Sequence, residues 1–181
     1  MDIPLKLNDY LKTLSEASFD NDKNESLIES DFRAYKLDTL TVRVCRELRN
    51  GQTLSGCDAY LKANGTHWFI EFKNQYANSI SQNTIQQIWR KAYDSVCTVR
   101  MAIEQTITLD DLCQNAKFLV VFRDEAQTGL DAFKDKTSGF AKKEYPVYWA
   151  LRKIEGKLYR EVHTIPATEF QATWIPRIWG Q

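Results

Sequence analysis

The sequence predicts an α/β fold: a helix, three antiparallel strands, a helix and a strand, followed by an additional C-terminal β-hairpin. Three observations carry this expectation. Asn50-Gly51 and Asn64-Gly65 separate three short segments across residues 39–73, and Asn-Gly between apolar runs is a strong hairpin signal. Residues 80–104 repeat apolar side chains at helical spacing. Residues 117–123 (KFLVVFR) are almost wholly apolar, as in a strand covered on both faces.

Taken in order, residues 5–18 place Leu7, Tyr10, Leu11 and Leu14 at helical spacing. The polar stretch Asp20–Asn24 follows as a loop, and a second helix is predicted over about 25–36, with Leu27, Ile28, Phe32 and Tyr35 on one side. Residues 39–48 fit two patterns. Leu37, Leu40, Val44 and Leu48 suit a helix; Leu40, Val42 and Val44, alternating with Thr39, Thr41 and Arg43, suit a strand. The β-branched content favours the strand. Residues 54–62 and 66–73 are then the two arms of the Asn64-Gly65 hairpin. In the second arm Trp68, Ile70 and Phe72 share one face, and His67, Phe69, Glu71 and Lys73 the other. Ile85, Ile88, Trp89, Ala92, Val96, Val99 and Ile103 form the apolar stripe of the next helix. Residues 126–143 read as a helix or a loop. Residues 146–153 and 157–164 flank Glu155-Gly156 as the extra hairpin, and the aromatic tail from Trp174 to Trp179 is expected to pack on the domain or on a second subunit. Trp68, Trp89 and Trp149 read as core aromatics.

A length of 181 residues suits one domain spanning 1–181. Nothing resembles a secretory leader, and no run approaches the roughly 20 apolar residues of a membrane helix, so a cytoplasmic protein without membrane contact is expected. Cys45, Cys57, Cys97 and Cys113 form no CxxC pair and read as reduced, mostly buried thiols. With only His67 and His163 as histidines, a His/Cys metal site is not expected. The net charge is zero but uneven: residues 1–31 carry −5 and residues 32–100 carry +5. A basic middle third suits a polyanionic partner, and equally a solvated face with local pairing. Lys142-Lys143 reads in the same two ways.

The basic third also holds two acids that need an explanation. Asp58 and Glu71 lie about six residues on either side of the Asn64-Gly65 turn. The hairpin sets them opposite or diagonal to one another, with Cβ atoms about 5–8 Å apart. Two carboxylates so placed repel, and a hard divalent cation removes the repulsion; magnesium takes one or two carboxylates, with waters and phosphate oxygens completing its shell. Lys73, two residues beyond Glu71, points to the same face. An ammonium there can orient a nucleophilic water and stabilise developing negative charge. The acid-X-Lys triplet occurs twice, at Glu71-Phe72-Lys73 and Glu155-Gly156-Lys157. Only the first has a preceding acid across a hairpin, an apolar strand and a following helix.

Gly56-Cys57-Asp58-Ala59-Tyr60 and Trp68-Phe69-Ile70-Glu71-Phe72-Lys73-Asn74-Gln75 resemble the PD-(D/E)XK nuclease superfamily, whose restriction-endonuclease-like core matches residues of about 25–123. The resemblance implies a magnesium (or manganese) ion held by Asp58, Glu71 and the Phe72 carbonyl, with Lys73 acting on the attacking water. Many members add a glutamate from the first helix; Glu29 takes that place here, with Glu25 next. Gln86 or Gln87 stands where related recombination nucleases use a glutamine, and Gln75 is a further supporting position. Cys57 departs from the family's name-giving proline. Arg43, Arg46, Arg90 and Lys91 are expected to contact the nucleic-acid backbone. The activity so implied is metal-dependent endonucleolytic cleavage of DNA, in restriction, repair or defence, by a chain that many relatives use as a homodimer. The competing expectation is an inactive nuclease-fold binding protein, an immunity or regulatory partner. A third is an unrelated fold, marked by a helix at 39–48 and by Asp58 lying far from Glu71.

Overall fold

A computed structural model describes residues 6–48, 53–124 and 147–180. Its centre is a six-stranded mixed sheet. The strands in it are β1 (Leu11–Thr13), β4 (Arg33–Lys36), β5 (Ala59–Ala63), β6 (Thr66–Tyr76), β7 (Ala116–Arg123) and β8 (Glu161–Pro166), which lie side by side in that order. The first four pair antiparallel; β7 pairs parallel to β6, and β8 parallel to β7. A separate small hairpin joins β2 (Phe19–Asp20) to β3 (Glu25–Ser26).

Helices cover both faces. On one lie α2 (Leu37–Leu48), α3 (Gln82–Ala102) and α4 (Leu109–Asn115). Their Leu37, Leu40, Val44, Ile88, Ala92 and Val99 pack with Tyr60, Phe69, Phe118 and Val120 of the sheet. On the other lie α1 (Leu14–Ala17) and a C-terminal helical segment of α5 (Ala167–Glu169), a π turn (Phe170–Trp174) and α6 (Ile175–Trp179). There Leu14, Phe170, Trp174 and Ile178 pack with Trp68, Ile70, Phe72 and Leu119. Burying each such side chain stabilises the fold by about 1.5–3 kcal/mol. The two faces of β6 are therefore the two read from its alternation, and the aromatic tail is packed on the domain.

The Asn64-Gly65 turn is observed, with both residues at positive φ (51° and 72°) and Ala63 paired to Thr66, which is the two-residue hairpin loop that favours Asn-Gly. The strand at 117–123 is central and buried, and the long helix is α3. Ser81 caps α3 by accepting from the Thr84 N–H, and the buried stripe Ile88, Ala92, Val96 and Val99 holds it to the sheet.

Several expectations are corrected. Residues 39–48 are helical, not a strand. Leu37, Leu40, Thr41 and Val44 are buried at helical spacing while Val42 is half exposed, so packing against α3 overrides the β-branched propensity. The antiparallel part of the sheet has four strands, β1–β4–β5–β6, and α2 separates β4 from β5 in the chain, so the expected three-strand meander is not formed; β4 comes from Arg33–Lys36, within the segment read as a helix over 25–36. Of the segment read as one helix over 5–18, the described residues form a 3₁₀ turn (Leu7–Tyr10), β1 and α1 instead. Among the described residues the expected C-terminal hairpin does not form: 151–154 is a 3₁₀ turn, and β8 runs parallel beside β7. All four cysteines are free, but only Cys57 is buried, and Cys97 is exposed. Asn50-Gly51, the segment 126–143 and Lys142-Lys143 lie outside the described residues. Among those described, no helix is long and apolar enough to cross a membrane.

Gly56 marks a close approach. A Cβ there would collide with the Thr41 hydroxyl and lie 2.8 Å from the Leu37 carbonyl oxygen. Gly56→Ala is therefore expected to cost about 1–3 kcal/mol, read as a lower melting temperature.

Burial also sets a pH dependence. His67 is buried, with its Nδ1 2.8 Å from the Tyr60 hydroxyl, and burial pushes its pKa below the ordinary 6.5. The neutral ring is the one the fold favours. Its contribution is present above that value and is lost as the pH falls through it. The stability gap between the wild type and His67→Gln is expected to shrink between about pH 8 and about pH 5, as denaturant titrations at each pH will show.

Candidate functional site

The site is built at the open end of the β5–β6 hairpin. Ala59 pairs with Ile70, so Asp58, one step before, and Glu71, one step after, are next in register. The start of α2 fixes this corner, since the Leu37 N–H donates to the Asp58 carbonyl at 3.1 Å. Helix α3 is tied to the same stretch. The Ser55 N–H donates to Asp94 Oδ2 (2.8 Å), and the Cys57 N–H donates to Ser95 Oγ (2.7 Å). Ser95 Oγ in turn donates to the Lys91 carbonyl at 2.6 Å.

The carboxylates converge. Asp58 Oδ2 accepts from the Phe72 N–H at 2.6 Å. Lys73 Nζ lies 2.6 Å from Glu71 Oε1, from the same face of β6. Lys91 Nζ, reaching in from α3, lies 3.0 Å from Asp58 Oδ1 and 2.8 and 2.9 Å from the two Glu71 oxygens. Glu71 is wholly buried; the side chains of Asp58, Lys73 and Lys91 are 15–20% exposed.

These contacts set the electrostatics. Burial and the Asp58 charge push the Glu71 carboxyl up from its ordinary range, while Lys91 and Lys73 pull against them. Two ammoniums, those of Lys73 and Lys91, lie 2.6–2.9 Å from its oxygens and favour its charged form. Burial works against the Lys91 charge, but Glu71 and Asp58 outweigh it and raise its pKa. Cys57 is pushed far above the thiol range, chiefly by burial, so its sulfur is no nucleophile.

The other expected residues separate into those near the site and those elsewhere. Lys91 belongs to the carboxylate cluster rather than to an exposed phosphate-binding face. Arg90 is engaged with Asp94 (3.2 Å) and the Thr53 carbonyl. Arg43 pairs with Glu47 at 2.6 Å; it lines, with Arg46, Tyr10, Val42 and Asp38, a surface cavity of about 530 Å³. Glu29 is exposed and lies between β3 and β4 rather than on a helix; its carbonyl accepts from Gln171 Nε2 at 3.3 Å. Glu25 is on β3, where Oε1 accepts from Asn74 Nδ2 (3.0 Å) and Arg123 Nη2 (2.7 Å). It buttresses the strand just past Lys73 and does not join the carboxylates. Gln75, Gln86 and Gln87 are exposed; Gln87 stands one helical turn before Lys91.

One acid escapes the sequence reading. Asp38, in the first turn of α2, lines with Asp58 a cavity of about 320 Å³ that also meets Asp20, Asp22, Lys36 and Asn74. Burial, and then the Asp58 charge, raise its pKa. Recognising 37–48 as a helix would have exposed the signal, because an acid at a helix start is favoured by the dipole.

No protein-family model, no curated protein and no solved structure matches the chain.

Proposed function

We propose that this protein is a divalent-metal-dependent phosphodiesterase that cleaves DNA internally. One observation carries the reading: Asp58, Glu71 and Lys73 meet on one face, across a hairpin that sets the two acids in register.

The donors suit a hard cation. Among the described residues no group of three or more His, Cys, Asp or Glu side chains is arranged around a metal position, but magnesium needs only one or two carboxylates, with waters and phosphate oxygens for the rest. Asp58 and Glu71 provide these, one of them fully buried, and both already contact one cation, the Lys91 ammonium. Asp58 and Glu71, with the Phe72 carbonyl, would hold the ion. When bound, it would lower the pKa of the attacking water and neutralise charge on the phosphate.

The chain's own groups do the rest. The Phe72 N–H fixes one Asp58 oxygen, so the other keeps its direction. Glu71 holds Lys73 beside the carboxylates, where its ammonium orients the water and stabilises the charge that develops in the transition state. Arg43 and Arg46, exposed on α2, would meet the DNA backbone. The test is plasmid DNA incubated with magnesium or manganese, wild type beside Lys73→Met. Metal-dependent nicking or linearisation that is lost in the variant supports the enzyme.

The second reading, a binding protein on this scaffold, is favoured by the Lys91 contacts, which neutralise the pair from within the chain. It predicts no cleavage of any nucleic acid and no metal heat in calorimetry.

A further inference from the structure

Lys91 makes contacts that a phosphate-binding lysine does not need. Its three donors all meet carboxylate oxygens of the two metal-binding acids, at 2.8–3.0 Å. A magnesium ion would sit about 2.1 Å from the same kind of oxygen, so the ion and the ammonium compete for one place, and they repel. We propose that the Lys91 ammonium is the resident counter-ion of the Asp58–Glu71 pair, and that a divalent ion enters only by displacing it. This rests on the phosphodiesterase reading.

The backbone does not provide the displacement. Helix α3 is tied to residues 55–57 through Asp94 and Ser95, so Lys91 leaves by rotating its own side chain. Four methylenes give it that freedom, and its 20% exposure gives the ammonium a route to solvent. The charges then couple metal to substrate. At rest Asp58 and Glu71 balance Lys73 and Lys91. Once a divalent ion has entered, the site is left positive and attracts a phosphodiester anion. Free metal therefore binds weakly, and metal binds more tightly when DNA is present.

Calorimetric titration of magnesium and manganese chloride into wild type, Lys91→Met and the double variant Lys91→Met/Glu71→Gln tests this. Lys91→Met is expected to bind one ion at least about ten-fold more tightly than wild type, and its melting temperature is expected to rise with magnesium far more than that of wild type. The double variant, lacking one carboxylate, loses that gain. If Lys91→Met is unfolded in EDTA, magnesium is expected to restore its far-ultraviolet circular dichroism, reversibly. Equal affinities in Lys91→Met and in a DNA-cleaving wild type would overturn the counter-ion role and leave the phosphodiesterase standing. So would an EDTA-unfolded variant that magnesium does not restore, beside a wild type that binds metal and cleaves. Absence of metal binding in both wild type and variant overturns the two together.

Discussion

Lys73→Met is expected to slow plasmid cleavage by about 10²–10³-fold while leaving the fold intact. The substitution keeps most of the side chain's stem and removes one charge. Glu71 keeps Lys91 at 2.8 and 2.9 Å, so its buried carboxylate retains a partner. Single-turnover cleavage at saturating DNA reads the effect, with circular dichroism as the control. A loss confined to KM would place Lys73 on the substrate in the ground state rather than at the reacting water.

The largest expected effect on stability is at Lys91. Lys91→Met in metal-free buffer leaves Asp58 without an ammonium partner and Glu71 with Lys73 alone. Removing one partner of a buried ion pair costs about 3–5 kcal/mol; with Lys73 remaining on Glu71, about 3 kcal/mol is expected, or about 6–12 °C in melting temperature for a chain of this size. A second change tells cost from function. Lys91→Met/Glu71→Leu removes the wholly buried carboxylate together with Lys91, leaving the partly exposed Asp58 and Lys73, and is expected to recover part of the loss, while abolishing metal binding.

The parts of the site visible in the sequence are those set by local rules. Asn64-Gly65 accepts only a tight turn, the turn fixes the register, and the register brings Asp58 beside Glu71. A two-residue spacing then puts Lys73 on the same face. What long-range packing decides is not legible. Thr39, Thr41, Val42 and Val44 look like a strand until α3 offers a surface that buries Leu37, Leu40 and Val44 together. Arg33–Lys36 is too short to show a period, and it becomes a strand because β1 and β5 flank it. Strand β8 finds β7 through parallel pairing, which no hairpin signal announces. Lys91 follows Ile88 and precedes Ala92 at the border of the buried stripe. Helical periodicity places its Cα there but cannot say that its long side chain turns inward to the acids. Asp38 is hidden by the same misreading that hides α2.

The most direct measurement is a crystal structure grown or soaked with manganese, with data collected to show its anomalous scattering. An anomalous peak bounded by the Asp58 and Glu71 oxygens, with the Lys91 side chain turned away from both, is the predicted result. Lys91 still bonded to both carboxylates at saturating manganese, with no peak between them, would contradict it.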